Sequence, residues 1–359
     1  MNQNKLQNTH RVGLRTLQFC TPVSIRAWAT VVGRKENEGK LRGKFDYVFE
    51  DNRLGQKSWE RAEQKLQQSA LELVLEKAGL SFQDLNYYMG GDLLNQIVAT
   101  SYTARMTDVP YIGLYGACSS LAEGMIVGSC LLDGGYGERL AVCTSSHHDA
   151  AEQQLRYPTE MGVQRTLTAQ WTVTGSGAYI LEHTQGDFMI LQAVPGKIVD
   201  RGISNSSDMG SAMAAAAVDT ISCWIEDTNG LDEVDYIVTG DLGKIGYEIC
   251  KKQLLERGYA IEGKYFDCGM EVYHAEQQDV HAGGSGCGCS AIVLGARFLP
   301  QMQLEVAYQK REKTWCKILF VGTGALLSPV TVQQGESIPG IAHGVLISYQ
   351  PVKTKGDTK

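Results

Sequence analysis

No run of apolar residues in this 359-residue chain approaches the roughly 20 that a membrane-crossing helix needs, so membrane association is expected only peripherally or through a partner. The N-terminus is polar and lacks the apolar core of a secretory leader. An excess of positive charge is missing too. The 33 Lys and Arg residues face 40 Asp and Glu, a formal net charge of −7. Phosphate contacts demand a basic face, so the charge argues against a dedicated nucleic-acid binder. Metal-ligand spacing is lacking as well. Cys287-x-Cys289, with Cys268 and His281 nearby, does not have the spacing of a zinc ribbon. Gly175-x-Gly177 and Gly322-x-Gly324 are not followed by a dinucleotide fingerprint and a helix, so no nicotinamide cofactor is implied. The ten cysteines are no disulfide framework either. Cys130, Cys143, Cys223, Cys250 and Cys316 sit inside apolar segments, as reduced core thiols of an intracellular protein do.

What is present is a globular balance, 43% hydrophobic and 20% charged, on a chain long enough for two domains or two fused halves. The stretch from Tyr111 to Gly134 organises it. Ile112 and Leu114 alternate as in a strand and lead to Gly116-Ala117-Cys118-Ser119-Ser120. From Leu121 the apolar residues fall at helical spacing, through Met125, Ile126 and Leu132, until glycine stops the run. Cys118 is thus predicted at a strand-to-helix turn, where unpaired amides favour the thiolate. Gly116 before it permits a tight turn or a positive φ. A nucleophilic or anion-holding cysteine needs this setting; a buried cysteine packed under a helix has the same local sequence.

Residues Met1 to Gln18 read as a loose lead-in and Gly33 to Gly43 as a surface loop. Ser58 to Ala78 is a clear amphipathic helix, with Leu66, Ala70, Leu73, Val74 and Lys77 on one stripe and Gly79 ending it. Strands are predicted at Val23–Val32, Leu85–Met89, Arg139–Thr144, Phe188–Val199 and Tyr236–Val238, and an alanine-rich helix at Asp208–Ile225. The second half echoes the first. Gly91-Asp92-Leu93 returns as Gly240-Asp241-Leu242, at an offset of 240 − 91 = 149 residues, after a similar acidic linker and strand. Arg139–Thr144 matches Lys317–Val321, and the turn Gly283-Gly284-Ser285-Gly286 stands where the Cys118 turn stands in the first half. Strand–helix alternation predicts an α/β protein of two fused βαβ-rich halves, residues 1–184 and 185–359, each with a parallel, helix-covered sheet.

Two such halves with a cysteine at a helix N-terminus resemble the thiolase superfamily. Gly116-Ala117-Cys118-Ser119 resembles the nucleophile turn of its 3-oxoacyl-carrier-protein synthase III branch, and Thr174-Gly175-Ser176-Gly177-Ala178 and Gly322-Thr323-Gly324-Ala325 resemble later turns of that branch. A likeness along nearly the whole chain is to the stage V sporulation protein AD family of spore-forming bacteria. Gly91-Asp92-Leu93-Leu94-Asn95-Gln96, Thr144-Ser145-Ser146-His147, Arg156-Tyr157-Pro158-Thr159-Glu160, Ala282-Gly283-Gly284-Ser285-Gly286-Cys287 and Glu336-Ser337-Ile338-Pro339-Gly340 carry it. The resemblance implies a thiolase-like fold with layered αβαβα arrangement. It implies a role in moving dipicolinic acid (pyridine-2,6-dicarboxylate) into the developing spore, beside membrane proteins of the same operon. It also implies a homodimer, in the cytoplasm or forespore and peripheral at the spore inner membrane. By the resemblance the dimer forms through the sheet edge beside the nucleophile's strand, for which the apolar run Leu140–Cys143 and the loop after it are the candidates.

A condensing enzyme of this superfamily needs a thiolate plus donors for a developing oxyanion, usually a histidine and an asparagine. Cys118 supplies the first. Where the histidine is expected stands Asp241 or Gly240, and an ionised Asp accepts hydrogen bonds rather than donating them. Where the asparagine is expected stands the turn containing Gly284. Ordinary condensation is therefore expected to be lost, leaving a pocket that suits a planar dicarboxylate. Its candidate contacts are Cys118 and Ser119 at the turn, Arg156 for a bidentate pair, His147, Asn95 and Gln96, Asp241, Gly284 and His343. Several have a structural alternative: a salt bridge for Arg156, a fixed loop for His147, a helix cap for Asn95 and Gln96, a satisfied core histidine for His343. No cofactor and no dedicated metal site are expected, calcium arriving at most as the dipicolinate chelate, because a lone carboxylate falls short of the 6–8 oxygens calcium takes. The second reading is an acyl-transferring or condensing enzyme with Cys118 as nucleophile.

Overall fold

The computed structural model describes residues 10–308 and 314–352. Ten strands make the body of one large sheet: β1 (Ser24–Gly33), β2 (Tyr87–Gly91), β3 (Tyr111–Gly113), β4 (Arg139–Ser146), β5 (Gly175–Glu182), β6 (Phe188–Val194), β7 (Tyr236–Thr239), β8 (Tyr265–Asp267), β9 (Cys316–Ala325) and β10 (Gly340–Tyr349). The helices that matter here are α1 (Trp59–Ala78), α2 (Val98–Ala104), α3 (Ser120–Asp133), α4 (His148–Leu155), α5 (Met209–Thr228), α6 (Gly243–Glu256) and α7 (Cys287–Val293).

The order across the sheet is β8-β7-β9-β10-β6-β1-β5-β4-β2-β3. Outward from the β6–β1 seam the two halves are copies: β1 corresponds to β6, β5 to β10, β4 to β9, β2 to β7 and β3 to β8. The echoes at Asp92 and Asp241, at β4 and β9, and at the two glycine turns all fall on corresponding places. The sheets are mixed rather than parallel. β1–β5 and β5–β4 pair antiparallel, whereas β4–β2 and β2–β3 pair parallel, and the second half repeats the pattern. Alternation of strand and helix predicts parallel pairing only where a helix crosses over the sheet. After β4 the chain stays at one end of the sheet and returns, so β5 runs backwards. At the seam itself β6 meets β1 in one antiparallel ladder pair, Met189 against Ser24.

Helix α3 packs between the two halves, against β2 and β4 on one side and β9 and β10 on the other, and α7 lies beside it against β1, β4 and β5. Helix α1 covers the outer face of the first half and α5 that of the second. The layering is therefore αβαβα. Helix α1 forms where its sequence says it should. Ser58 Oγ accepts from Arg61 N at 3.3 Å, Leu66, Ala70 and Val74 are buried, and Gly79 closes the helix at φ 66°. Lys77 leaves the stripe and pairs with Asp46 at 2.8 Å. Two polar residues, Glu63 and Gln67, are buried on this same face.

Several boundaries differ from expectation. The lead-in is ordered from Arg11: Thr16–Gln18 pairs with β6, and residues 1–9 lie outside the described residues. The charged segment after β1 opens with a short helix, Arg34–Asn37, whose Glu36 is buried. The strand expected over Phe188–Val199 ends at Val194, and α5 starts one residue late, because Asp208 serves as its cap. Leu140–Cys143 is no edge. It lies inside β4, fully buried between β2 and β5, because a four-residue apolar run marks burial on both faces. The edges of the sheet are β3 and β8.

Candidate functional site

Strand β3 delivers the chain to Gly116, a single turn at Ala117–Ser119 follows, and α3 begins at Ser120. The left-handed residue is Ala117, at φ 50°, and not Gly116, whose φ is −77°. At Gly116 a Cβ would lie 2.6 Å from Glu123 Oε2 and 2.7 Å from Ser119 Oγ, so a side chain there would displace those two side-chain ends. Strain of this kind at a non-glycine residue is held only where the surroundings fix it. Here they do, since Ala117 O accepts from Cys287 Sγ at 3.0 Å and from Ser120 Oγ at 2.7 Å.

Cys118 is 3% exposed. The groups that set the electrostatics of its sulfur are the Cys287 thiol, the Asp241 carboxyl and the Gly286 N–H. The contact with Cys287 on its own would lower the pKa, but burial and the charge of Asp241 outweigh it, and the thiol is pushed up. The turn therefore does not favour the thiolate as its place before a helix suggested. Asp241 is fully buried and accepts from Ser285 Oγ (2.8 Å), Gly286 N (2.9 Å) and Thr323 Oγ1 (2.8 Å). Burial raises its pKa despite these donors. So an acceptor, surrounded by its own donors, stands against the sulfur.

A cavity of about 380 Å³ opens beside Cys118. That is in the range of small-molecule pockets, roughly 300–1,000 Å³. Asp92, Asn95, Gln96, Tyr115 and Arg156 supply its polar wall, and the leucines of the Ala325–Leu327 stretch an apolar one. Gln96 and the following Ile97 are left-handed, at φ 58° and 44°, so the loop carrying Asn95 and Gln96 is bent by tertiary packing, and neither residue makes a side-chain cap. Arg156 follows α4. Its Nη1 pairs with Glu152 at 2.9 Å and its Nε donates to Ser206 O at 3.0 Å. Asp92 is 4% exposed and accepts from Leu94 N, Thr100 N and Thr100 Oγ1, and burial raises it to about 6.

Of the expected site residues the structure brings Cys118, Asn95, Gln96 and Arg156 to this cavity and leaves the others out. Ser119 is buried and bonds its own turn through Gly116 O at 2.6 Å. Asp241 lies beneath the sulfur and does not line the cavity. Gly284 pairs with Trp171 in a two-residue bridge and receives Gln170 Nε2 on its carbonyl at 2.8 Å. His147 caps α4 through Nδ1, and its Nε2 meets Asn52 O at 2.7 Å, so it fixes a loop. His343 faces Gly322 across the β9–β10 ladder, accepts from Gly196 N at 3.0 Å, and is held by burial at about 4. No histidine lines the cavity among the described residues. Sequence reasoning did not place Cys287, Ser285, Thr323 or Asp92 in the site, and weighed Cys287 only against zinc. The first three come from distant segments, and no local pattern tied them to Cys118. Asp92 did carry a signal: it is the twin of Asp241 in the repeated tripeptide.

The profile of the stage V sporulation protein AD family matches residues 13–348. Stage V sporulation protein AD of Bacillus subtilis (strain 168) is 44% identical over 335 residues, which cover 93% of this chain and 96% of that protein. Among solved structures, an OleA variant from Xanthomonas campestris superposes with a TM-score of 0.57 at 13% identity, over 92% of this chain and 99% of that one. A 3-oxoacyl-[acyl-carrier-protein] synthase III from Aquifex aeolicus VF5 does so at 0.54 and 12% identity, over 91% and 100%. At such identities the likeness is one of fold, and the fold is thiolase-like.

Proposed function

The chain belongs to the stage V sporulation protein AD family, and from that membership and the cavity beside Cys118 we propose that it binds dipicolinate for uptake into the developing spore. The observation that carries the reading is the replacement of oxyanion donors at the sulfur by Asp241, next to a cavity that retains an arginine and two amides. Condensation needs donors where charge develops. A flat diacid needs a cation, N–H donors and an apolar wall, and Arg156, Asn95, Gln96 and Leu327 offer these. As a sporulation protein without a described helix long and apolar enough to cross a membrane, it would work beside membrane proteins of its operon, at the forespore membrane surface and as a homodimer.

Titrating the purified protein with dipicolinate, with and without calcium, tests this. Saturable binding is expected, weakened roughly 10- to 100-fold in Arg156→Ala, the worth of one charged hydrogen-bonded contact. Absence of saturation under both conditions would sink the proposal. The acyl-transfer reading is favoured by one observation, that Cys118 faces the cavity. Its check is a mass shift on the Cys118 peptide after incubation with acyl-CoA.

A further inference from the structure

Behind the cavity wall, α1 turns two polar side chains inward where its apolar stripe should continue, and they build a closed network. Gln67 Nε2 donates to Thr100 Oγ1 at 3.1 Å and to Ser145 Oγ at 3.2 Å. Each hydroxyl hands its own proton to a carboxylate, Thr100 to Asp92 at 2.6 Å and Ser145 to Glu63 at 3.0 Å. Tyr88 OH holds the amide oxygen of Gln67 at 2.9 Å. Asp92 and Glu63 are thus the two ends of one buried arrangement, and Asp92 alone of the two reaches the cavity. Glu63 is 0% exposed and its Oε2 has no partner. A buried, half-satisfied carboxylate is tolerated far better neutral than charged.

We propose that the cavity takes its dicarboxylate together with one proton, which Asp92 accepts while Glu63 behind it already holds another. This rests on the dipicolinate reading and adds its regulation. The groups facing Asp92 leave no other route to neutrality. From α1 comes Glu63, from β2 Tyr88, from β3 Tyr111 and from the start of α7 the thiol of Cys287, while Tyr115 and Cys118 share the cavity wall with it. None of these is a cation. The one cation among the described wall residues, Arg156, already offsets Glu152 and has only its remaining N–H groups to offer the ligand, so it does not neutralise Asp92 as well. An incoming dianion therefore meets a buried like charge at Asp92, and like charges in a low-dielectric site cannot both stay ionised. Burial places Asp92 at about 6, so it is largely ionised at neutral pH and can take up a proton on binding.

The sign follows by linkage. Ligand raises the proton affinity of Asp92, so affinity is highest below pH 6 and falls by up to tenfold per pH unit as pH rises above it. Calorimetric titration with dipicolinate at pH 7 in phosphate and in Tris, buffers of different ionisation heat, counts the protons exchanged. Uptake approaching one proton per dipicolinate is expected in the wild-type protein. In Asp92→Asn uptake and pH dependence should both vanish while binding persists. Glu63→Gln, a neutral mimic of the protonated acid, should keep uptake at the wild-type level. Saturable binding with no proton uptake by the wild-type protein overturns the coupling and leaves the dipicolinate reading standing. Uptake unchanged in Asp92→Asn overturns the coupling in the same way. Absence of binding between pH 5 and 8 overturns both.

Discussion

Replacing Asp241 with alanine would strand three buried donors, Ser285 Oγ, Gly286 N and Thr323 Oγ1, in the layer between the two half-sheets. Unpaired buried donors cost about 1–3 kcal/mol each, and three that share one site do not add fully. Asp241→Ala is thus expected to destabilise the fold by about 2–5 kcal/mol, read as a shift of the urea midpoint. Asp241→Asn, which keeps one carbonyl oxygen, should lose less. If the alanine variant unfolds at the wild-type midpoint, Asp241 is a ligand-facing group rather than a keystone of the turn. Cys118 itself was legible, because strand, small residues and helix are consecutive in sequence. The state of its sulfur was not. That state depends on burial, on Asp241 and on Cys287, which folding brings from more than a hundred residues away.

At a few places elements meet backbone to backbone, and glycine permits the approach. Gly288, in the first turn of α7, lies so close to β5 that a Cβ would sit 2.2 Å from Gly175 O and 3.0 Å from Ser146 Oγ. The nearest atom is backbone, which cannot turn aside. Gly288→Ala is expected to push α7 off β5 and to cost more than the gain in helix propensity, about 1 kcal/mol, returns. Because α7 carries Cys287, the same shift should loosen the turn at Ala117 and expose Cys118. Faster alkylation of Cys118 by iodoacetamide, followed by mass spectrometry, measures this; an unchanged rate would show that α7 does not hold the turn. The helices were legible at this scale because their apolar periodicity and caps are local, as Ser58 and Gly79 show for α1. The pairing of strands was not. Whether β5 runs with or against β4 depends on the path of the chain between them, and no periodicity within either strand encodes it.

At the scale of the whole molecule the two ends of the sheet differ, although the halves are copies. At the β8 end Tyr265 is 4% exposed and stacks on Tyr247 of α6 at 4.7 Å, so the edge is covered from within. At the β3 end Tyr102, Met106 and Tyr115 are 47%, 52% and 63% exposed around a strand that, among the described residues, pairs with β2 alone. An open strand flanked by large apolar side chains is a template for another strand, and short length alone does not protect it. If the homodimer proposed above forms, this edge is where a second copy joins, and Leu140–Cys143, two strands inside, has no part in it. Sedimentation velocity is expected to give a species of twice 39.3 kDa at micromolar concentration. Tyr115→Lys together with Met106→Lys should return it to the monomer while the chain still unfolds in one cooperative transition, losing only what association adds to its stability. A dimer that survives both substitutions would place the interface elsewhere. A 39.3 kDa species in the wild-type protein would remove the dimer altogether.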